Sequence, residues 1–479
     1  MNTLLKRYRK LSLPLKASMW FVVCSIIQKG IAFITTPIFT RILSKDEYGV
    51  VSVYNSWQSI ITIPATMMLA TGVFNKAMIK FEDDRDGYAS STLFLSTCIT
   101  LVWAAVYYLF SDFWNNLLDM TTQLMTLMLI DIIFVEAMSF WTIRQRFDYK
   151  YKSVVIFTIL ANILGTLLSL ILVQSTDSNK AEYRILGTVI IHVLVYSITY
   201  VVIMLRGRRI YKPAYWKYAL WYNMPLIPHY LSLIVLNQSD RIMIGRICGN
   251  DYSAIYTVAY QISLVLNIIT NSIHASFSPW AYQNMKKGEY KSIGRLTFSI
   301  LIGFAVACFF FSLFSPEIIM VLGGNSYYEA VWIVPPVTMS IVFNVLYSLI
   351  SNIAFYYEKT KFVMVGTIFV GVTNVALNAI FIPIYGFVAA GYTTLVSYIL
   401  YSAVHYLFML KICRTENIVN PYNNIGIWTV CSISVILSIV STYLYEHTIL
   451  RYSFIILIML LSILGRNKIV AILKSMRKK

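Results

Sequence analysis

Apolar runs of about twenty residues recur from one end of this 479-residue chain to the other. A run of that length is what an α-helix needs to cross a hydrocarbon core about 30 Å thick. Because lipid offers the backbone no hydrogen-bonding partner, each run should be helical, and the lack of alternating apolar and polar residues argues against a β-barrel. With 58% hydrophobic and 13% charged residues, the chain cannot present the surface of an ordinary soluble protein. The sequence therefore predicts an all-α integral membrane protein.

About fourteen membrane-spanning helices are predicted from the positions of these runs. Their approximate bounds are 17–38, 49–72, 88–110, 119–142, 153–174, 185–205, 219–240, 253–280, 293–314, 329–353, 362–382, 387–410, 425–445 and 449–465. The first run has no small-residue cleavage site after it, so we expect a retained helix rather than a signal peptide.

The basic residues predict the orientation of these helices, because cytoplasmic loops of membrane proteins are enriched in Lys and Arg. With the N-terminus inside, the inner segments hold most of the basic residues, from Lys6, Arg7, Arg9 and Lys10 to the group that starts at Arg466. The outer segments hold only Arg41, Lys45, Lys180, Arg184, Arg241, Arg246 and Arg451. We therefore expect a multi-pass protein with both termini in the cytoplasm.

The composition also excludes several classes of function. The net charge of +18 comes from basic residues in short loops between apolar runs, so we expect no nucleic-acid partner. The six cysteines are scattered and form no CxxC pair, so we expect neither a metal site nor a disulfide framework. There is no P-loop, HExxH or GxSxG motif and no loop long enough for a soluble catalytic domain. We expect no enzyme activity and no cofactor.

A polar turn between two apolar helices occurs twice in the chain. Arg246, Ile247 and Asp251 correspond to Arg41, Ile42 and Asp46, which lie 205 positions earlier, and Lys359 and Lys361 correspond to Lys150 and Lys152 at an offset of 209. Six helices separate the copies, so both should have the same orientation, related by a pseudo-two-fold axis along the membrane normal. We predict a six-helix bundle over 1–212, a second one over 213–415, and two additional helices with a basic cytoplasmic tail over 416–479.

Polar residues inside the predicted spans are candidates for a transport pathway, because charges in a membrane are costly. Lys29 lies in the middle of the first span, on one face with Ser25 and Thr36. Other stripes at helical spacing contain Asn55 and Gln58, then His229 and Asn237, then Asn267, Asn271 and His274, and finally Asn374 and Asn378. Each stripe could line a cavity, or it could be a set of hydrogen bonds that holds helices together.

Three acidic residues within the spans could couple transport to an ion gradient. Asp131 and Glu136 lie five positions apart in the fourth span and so do not share one face, and either could carry a proton or a sodium ion. Asp240 and Arg241 lie at the outer end of the seventh span, where they could form a gate pair or an interfacial pair. His192 and His405 stand alone, and we expect both to be packing residues.

Three stretches carry a resemblance to a known family. KASMWFVVCSIIQKGIAFITTPIFTRILSKDEYGVVSVY at 16–54, PLIPHYLSLIVLNQSDRIMIG at 225–245 with AIYTVAY at 254–260, and LNAIFIPIYGFVAAGYTT at 377–394 resemble bacterial polysaccharide-repeat-unit flippases. These are the O-antigen and capsule exporters of the multidrug/oligosaccharidyl-lipid/polysaccharide superfamily. The resemblance covers roughly residues 15 to 410. The chain departs from the family in having Ala389 and Gly391 where Gly-Ala-Ala is more common.

The resemblance implies a function in the bacterial cytoplasmic (inner) membrane. The implied substrate is an oligosaccharide on undecaprenyl diphosphate, moved from the inner to the outer leaflet by alternating access. The implied partners are membrane lipids and the polysaccharide polymerase and chain-length machinery, and we expect the chain to act as a monomer. Amides and hydroxyls would bind the sugar and Lys29 the diphosphate, with Arg41, Arg241 and Arg246 receiving it at the outer mouth. The candidate substrate-binding residues are Lys29, Arg41, Asn55, Gln58, His229, Arg241, Arg246, Asn267, Asn271, His274 and Asn374.

Three alternatives remain open at this point. A multidrug or cation antiporter of the same superfamily resembles this fold but has twelve spans and tends to carry an acidic residue in the first helix, where this chain has Lys29. A lipid II flippase also has fourteen spans and basic cavity residues. A scaffold without transport activity would contain no water-filled cavity.

Overall fold

The computed structural model describes residues 13–464, and every regular element in that range is a helix. The α-helices are α1 Leu13–Ile42, α2 Lys45–Thr66, α3 Phe74–Lys80, α4 Arg85–Leu109, α5 Ser111–Leu118, α6 Thr122–Phe147, α7 Tyr151–Gln174, α8 Lys180–Gly207, α9 Pro213–Asn223, α10 Ile227–Cys248, α11 Asn250–Lys286, α12 Tyr290–Leu313, α13 Ser315–Leu322, α14 Val334–Tyr356, α15 Thr360–Tyr385, α16 Ala389–Thr415, α17 Asn424–Leu444 and α18 Thr448–Leu464. The basic residues before position 13 and after position 464, on which the predicted orientation partly depends, lie outside the described range.

Twelve stretches of the described chain are long and apolar enough to cross a membrane. They are α1, α4, α6, α7, α8, α9 together with α10, α11, α12, and α14 to α17. The other two predicted spans also have helices at the expected places. α2 is not among the twelve, because it starts with three charged residues and carries a polar face. α18 is not among them because its apolar part, Thr448–Leu461, is short.

The described residues form two compact units, which divide between Ile234 and Val235 inside α10. The domain boundaries predicted from the sequence at 212/213 and 415/416 stay predictions. Each unit has its own hydrophobic core.

The helices of unit 1 pack around α8. This helix contacts α2, α4, α6 and α7, and α1 packs on α7. The core contains Phe74, Tyr88 and Phe140, all fully buried, and Phe74 meets Phe140 edge-to-face at 4.9 Å between ring centroids. Aromatic pairs in this geometry stabilise a core beyond the area that they bury.

Unit 2 is organised around α14, which contacts α11, α12, α15, α16 and α17. Nearly all of α14 is buried, including both prolines of its first turn, where the missing N–H groups cost nothing. The last helix is attached by Arg451 of α18, which is buried and forms a 2.6 Å ion pair with Glu317 of α13. Arg451 and Glu317 therefore hold the final helix against the rest of unit 2.

The internal repeat is visible in the local backbone structure. α2 begins at Lys45 after the N-cap Ser44, and α11 begins at Asn250 after the N-cap Gly249, so the two helix starts are 205 positions apart. At the other offset, Tyr149 and Glu358 both have positive φ angles of 54° and 57°. The next residue in each case, Lys150 or Lys359, closes the turn by donating its N–H to the carbonyl five positions back. The axis predicted to relate the two copies remains a prediction.

Candidate functional site

A buried carboxylate on α6 of unit 1 is held by two neighbouring helices. Asp131 Oδ2 accepts a 2.6 Å hydrogen bond from Nε2 of Gln58 on α2, and its Oδ1 lies 2.7 Å from Nδ1 of His192 on α8. Asp131 is only 4% exposed, so a carboxylate here is stable only because both oxygens have partners. Asp131 and Gln58, predicted separately from the sequence, thus belong to one cluster.

Two cavities open on either side of this cluster. The first has a volume of about 340 Å³ and is lined on its polar side by Tyr54, Asn55, Gln58, Asp131, Asn162, Thr166, Arg184, Thr188 and His192. The second has a volume of about 460 Å³ and includes Gln28, Ser139, Arg146, Thr158, Asn162, His192 and Tyr196. Asn162 and His192 border both cavities. Residues 21 to 39 of α1 line the two cavities in succession, at helical spacing along one face.

Arg184 and Tyr54 give the wall of the first cavity both cationic and aromatic character. The guanidinium of Arg184 lies over the ring of Phe39 at 4.0 Å and over that of Tyr48 at 4.8 Å, distances typical of cation–π contacts. Tyr54 is 3% exposed, and its hydroxyl is buried without a hydrogen-bond partner among the described residues. A buried hydroxyl of this kind is usually satisfied by a water molecule or a ligand.

A second polar cluster surrounds Asp240 of α10 in unit 2. Asp240 is fully buried. Its Oδ1 accepts a 2.6 Å hydrogen bond from Asn378, and its Oδ2 accepts hydrogen bonds from Tyr256 at 2.6 Å and from Thr394 at 2.8 Å. The donors come from α11, α15 and α16, so a single carboxylate connects four helices.

Further amides and hydroxyls extend this cluster between α15 and α16. Asn378 accepts a hydrogen bond from Thr393 and donates one of 3.4 Å to Asn374 Oδ1. Asn374 in turn donates to Ser397 at 3.1 Å and accepts from Ser239 at 3.3 Å. The stripe of Asn374 and Asn378 is therefore a fully buried hydrogen-bonded network in unit 2.

Arg241 is not paired with its neighbour Asp240 in a gate. Its Nη1 donates to the backbone carbonyl of Asn237 at 2.8 Å and to Gln238 at 3.2 Å, and the guanidinium lies 4.5 Å from the ring centroid of Tyr260. The nine ion pairs described in residues 13–464 do not include Asp240 with Arg241. The two side chains thus stabilise different contacts of α10.

Glu136 lies away from both cavities. It is buried, and its Oε1 accepts a 3.2 Å hydrogen bond from the backbone N–H of Ala70. Ala70 belongs to the irregular turn that follows α2, where Met67 and Met68 both have positive φ angles. Glu136 therefore stabilises a turn, and a role for it in ion coupling stays a prediction.

The other predicted site residues are less closely tied to these clusters. Lys29 is half-buried on α1, outside the lining of both cavities, and it forms no hydrogen bond or ion pair with any described residue. Arg41 and Arg246 are exposed near the ends of their helices. Asn267, Asn271, His229 and His274 are half-buried or exposed, and His274 contacts Ser278 at 3.3 Å. Their predicted contacts with substrate stay predictions.

The prediction that His192 is only a packing residue was wrong, because the structure pairs it with Asp131. Sequence reasoning also missed Arg184, which was assigned only to an outer loop, and Tyr256 and Thr394 as partners of Asp240. Their partners are far away in the chain, so no local spacing identified them. His405, by contrast, does pack between the rings of Tyr347 and Tyr401, at 4.6 and 4.8 Å.

The fold defines a class of protein: an all-helical, multi-pass membrane protein with two helical bundles. The structure superimposes on a lipid II flippase, MurJ, in an inward closed conformation with a TM-score of 0.68 and 14% identity, covering 94% of this chain and 100% of that one. It also superimposes on an inward-facing multidrug-resistance MATE transporter of the MOP superfamily with a TM-score of 0.59 and 15% identity, covering 83% and 99%.

The family follows from the sequence comparison. The chain belongs to the polysaccharide biosynthesis protein family, whose model matches residues 15–285. It is also 20% identical over 368 residues to a protein of the Lsg locus of Haemophilus influenzae, covering 73% of this chain and 86% of that protein. The predicted fold class is confirmed.

Proposed function

We propose that this protein moves undecaprenyl-diphosphate-linked oligosaccharide repeat units, of the O-antigen or capsule type, from the inner to the outer leaflet of the bacterial cytoplasmic membrane. Membership of the polysaccharide biosynthesis family and the transporter fold support this proposal. Alternating access of two helical bundles would expose the headgroup first to one side and then to the other.

The first cavity of unit 1 is the observation that carries the proposal. It lies among membrane-length helices, yet it is lined by amides, hydroxyls and the cationic Arg184. Its volume of about 340 Å³ is within the range of small-molecule sites. Amide and hydroxyl groups such as Asn55, Asn162 and Thr188 are the groups that hydrogen-bond sugar hydroxyls. A scaffold without transport activity has no need for such a cavity.

The diphosphate of the carrier requires cations. Lys29 in α1 would contact it during translocation, and Arg41, Arg241 and Arg246 would receive it on the outer side. A cation inside a span is costly unless it serves a ligand or a pathway, and Lys29 has no ion pair with a described residue. His229, Asn267, Asn271, His274 and Asn374 complete the proposed substrate contacts.

Transport is proposed to be driven by an ion gradient, because the chain has no P-loop for a nucleotide. Asp131, Glu136 and Asp240 are the candidate coupling residues. Asp131 has the strongest support of the three, since it lines the first cavity. The protein would act as a monomer with both termini in the cytoplasm and deliver its product to the polymerase and chain-length machinery.

A multidrug antiporter and a lipid II flippase remain the alternatives within the superfamily. The absence of Asp and Glu from α1 disfavours the antiporter, and the family membership favours a polysaccharide substrate over lipid II.

Deletion of the gene followed by mass spectrometry of the lipid-linked intermediates tests the proposal. Repeat units on undecaprenyl diphosphate should accumulate, and they should carry their full sugar complement because assembly precedes transport. Restoring the wild-type gene should clear them. Accumulation of lipid II alone, or drug sensitivity with a normal lipid profile, would contradict the proposed substrate.

A further inference from the structure

The position of His192 between the two cavities of unit 1 has a chemical consequence. Its Nδ1 lies 2.7 Å from Asp131 Oδ1, while its Nε2 has no hydrogen bond with a described residue. A carboxylate accepts a hydrogen bond, so the neutral imidazole carries its proton on Nδ1. The lone pair of Nε2 is then available to a proton from water.

The groups around the pair leave Asp131 as the one acidic partner. Tyr54 and Gln58 face it from α2, Asn162 faces it from α7, and Tyr196 stacks on the imidazole at 4.9 Å from within α8. Along the two cavities the remaining titratable or charged side chains are Cys24, Arg146 and Arg184. Among the described lining residues, Asp131 therefore supplies the single negative charge that can stabilise an imidazolium.

The cavities have room for the water molecules that a proton needs on its way in and out. Both cavity volumes are several times larger than the volume of one water molecule, about 30 Å³. Tyr54 also lines the first cavity, and its buried hydroxyl has no hydrogen-bond partner among the described residues.

We propose that Asp131 and His192 form the proton-exchange site of unit 1. A proton from cavity water binds Nε2 and gives an imidazolium hydrogen-bonded to the Asp131 carboxylate. Loss of that proton to water restores the neutral imidazole, so no other reactant is consumed. The coupling of this exchange to transport rests on the proposed function, but the exchange itself does not.

The exchange can be measured on the purified full-length protein without any substrate. The chain has five histidines, so ¹⁵N-histidine labelling gives at most five pairs of ring-nitrogen signals in nanodiscs. The pair that disappears in His192→Gln belongs to His192. We expect these signals to change with pH as Nε2 gains and loses a proton, and to change differently in Asp131→Asn.

His405→Gln is the matched control, because it replaces a second histidine that packs against tyrosine rings. It should leave the His192 signals and their pH dependence as in the wild type. His192 signals that stay constant over the whole pH range, or that respond identically in Asp131→Asn, would overturn the proton-exchange site.

Transport assays then separate this inference from the proposed function. In proteoliposomes, a pH gradient should accelerate movement of lipid-linked oligosaccharide by the wild type and by His405→Gln, and His192→Gln should lose that acceleration. A complete lack of transport by the wild type would contradict the proposed function but leave the spectroscopic result intact. Acceleration retained in His192→Gln would overturn the role of the pair in coupling.

Discussion

Asn378 donates a 2.6 Å hydrogen bond to the carboxylate of Asp240, although the two residues lie 138 positions apart in the chain. Tyr256 and Thr394 donate to the same carboxylate, which is fully buried. Three donors from three helices thus depend on one acceptor. An unsatisfied buried polar group costs about 1 to 3 kcal/mol, so the stability of unit 2 should depend strongly on this side chain.

Replacement of Asp240 by alanine should therefore lower the free energy of unfolding by about 3 kcal/mol or more, since three donors lose their acceptor. Asp240→Asn should lose less, because one acceptor oxygen remains. Thermal unfolding of the purified protein in detergent measures the difference. Asp251→Ala, an exposed acidic residue in the first turn of α11, is the control and should cost under about 1 kcal/mol. Equal losses for Asp240→Ala and Asp251→Ala would refute the role of the network.

The close approach of α7 and α8 in unit 1 gives a second prediction. A Cβ atom at Gly187 would lie 2.6 Å from the backbone of Ser169, whereas one at Gly165 would have its nearest atom at 3.8 Å. Gly187→Ala should force the helices apart and destabilise the protein by about 1 to 3 kcal/mol. Gly165→Ala on the facing helix should be neutral or slightly stabilising, because alanine favours a helix. The melting temperatures of the two variants test this prediction. If Gly187→Ala melts at the wild-type temperature, α7 and α8 pack less tightly than these distances indicate.

The third prediction concerns stability in acid. Burial alone would raise the pKa of Asp148, but the hydrogen bonds and charges of Arg144 and Lys150 outweigh it and hold this pKa below its ordinary value of 3.8. A carboxylate whose pKa is lowered in the folded state stabilises the protein above its ordinary pKa, and this contribution disappears as the pH falls through the lowered value. Asp148→Asn should therefore destabilise the protein at pH 7 and lose less stability than the wild type on acidification.

Melting temperatures at neutral pH and near pH 3 test this dependence. Asp177→Asn, in the exposed loop after α7, controls for the removal of one carboxylate. If acidification lowers the melting temperatures of the wild type and of Asp148→Asn equally, this ion-pair cluster makes no pH-dependent contribution to stability.

Lys29 provides the prediction that bears most on the substrate. If the ammonium group contacts the diphosphate, Lys29→Ala should abolish surface polysaccharide in a strain that lacks the native gene, and Lys29→Arg should retain part of it because the charge remains. Lys291→Ala, which removes an exposed lysine at the start of α12, should complement normally. Full activity of Lys29→Ala at wild-type expression would remove the residue from the mechanism.

Much of the fold could be predicted from the sequence, because membrane insertion requires long apolar helices and each one leaves a visible run. The start of α2 at Lys45 and that of α11 at Asn250 preserve the offset of 205 that first indicated the repeat. The turn signals themselves differ, since one helix has a capping box with Ser44 and Glu47 while the other follows Gly249. Local chemistry was thus sufficient for the helices and their repeat.

The candidate sites were predicted less well, because side-chain partners depend on helix packing. The spacing of five between Asp131 and Glu136 correctly predicted that they do not share a face, and the structure gives them unrelated partners. The pairing of Asp131 with His192 spans 61 positions and had no local signal. Lone polar residues in predicted spans should therefore be treated as possible partners of a distant charge.

The most direct test of the proposed function is transport by the purified protein. Proteoliposomes would carry undecaprenyl-diphosphate-linked oligosaccharide, and a membrane-impermeant glycosidase would report how much of it faces outward over time. The proposed function predicts that wild-type protein makes the inner pool accessible, and that protein-free vesicles and Lys29→Ala do not. An inner pool that stays protected with wild-type protein, with and without proton and sodium gradients, would contradict it.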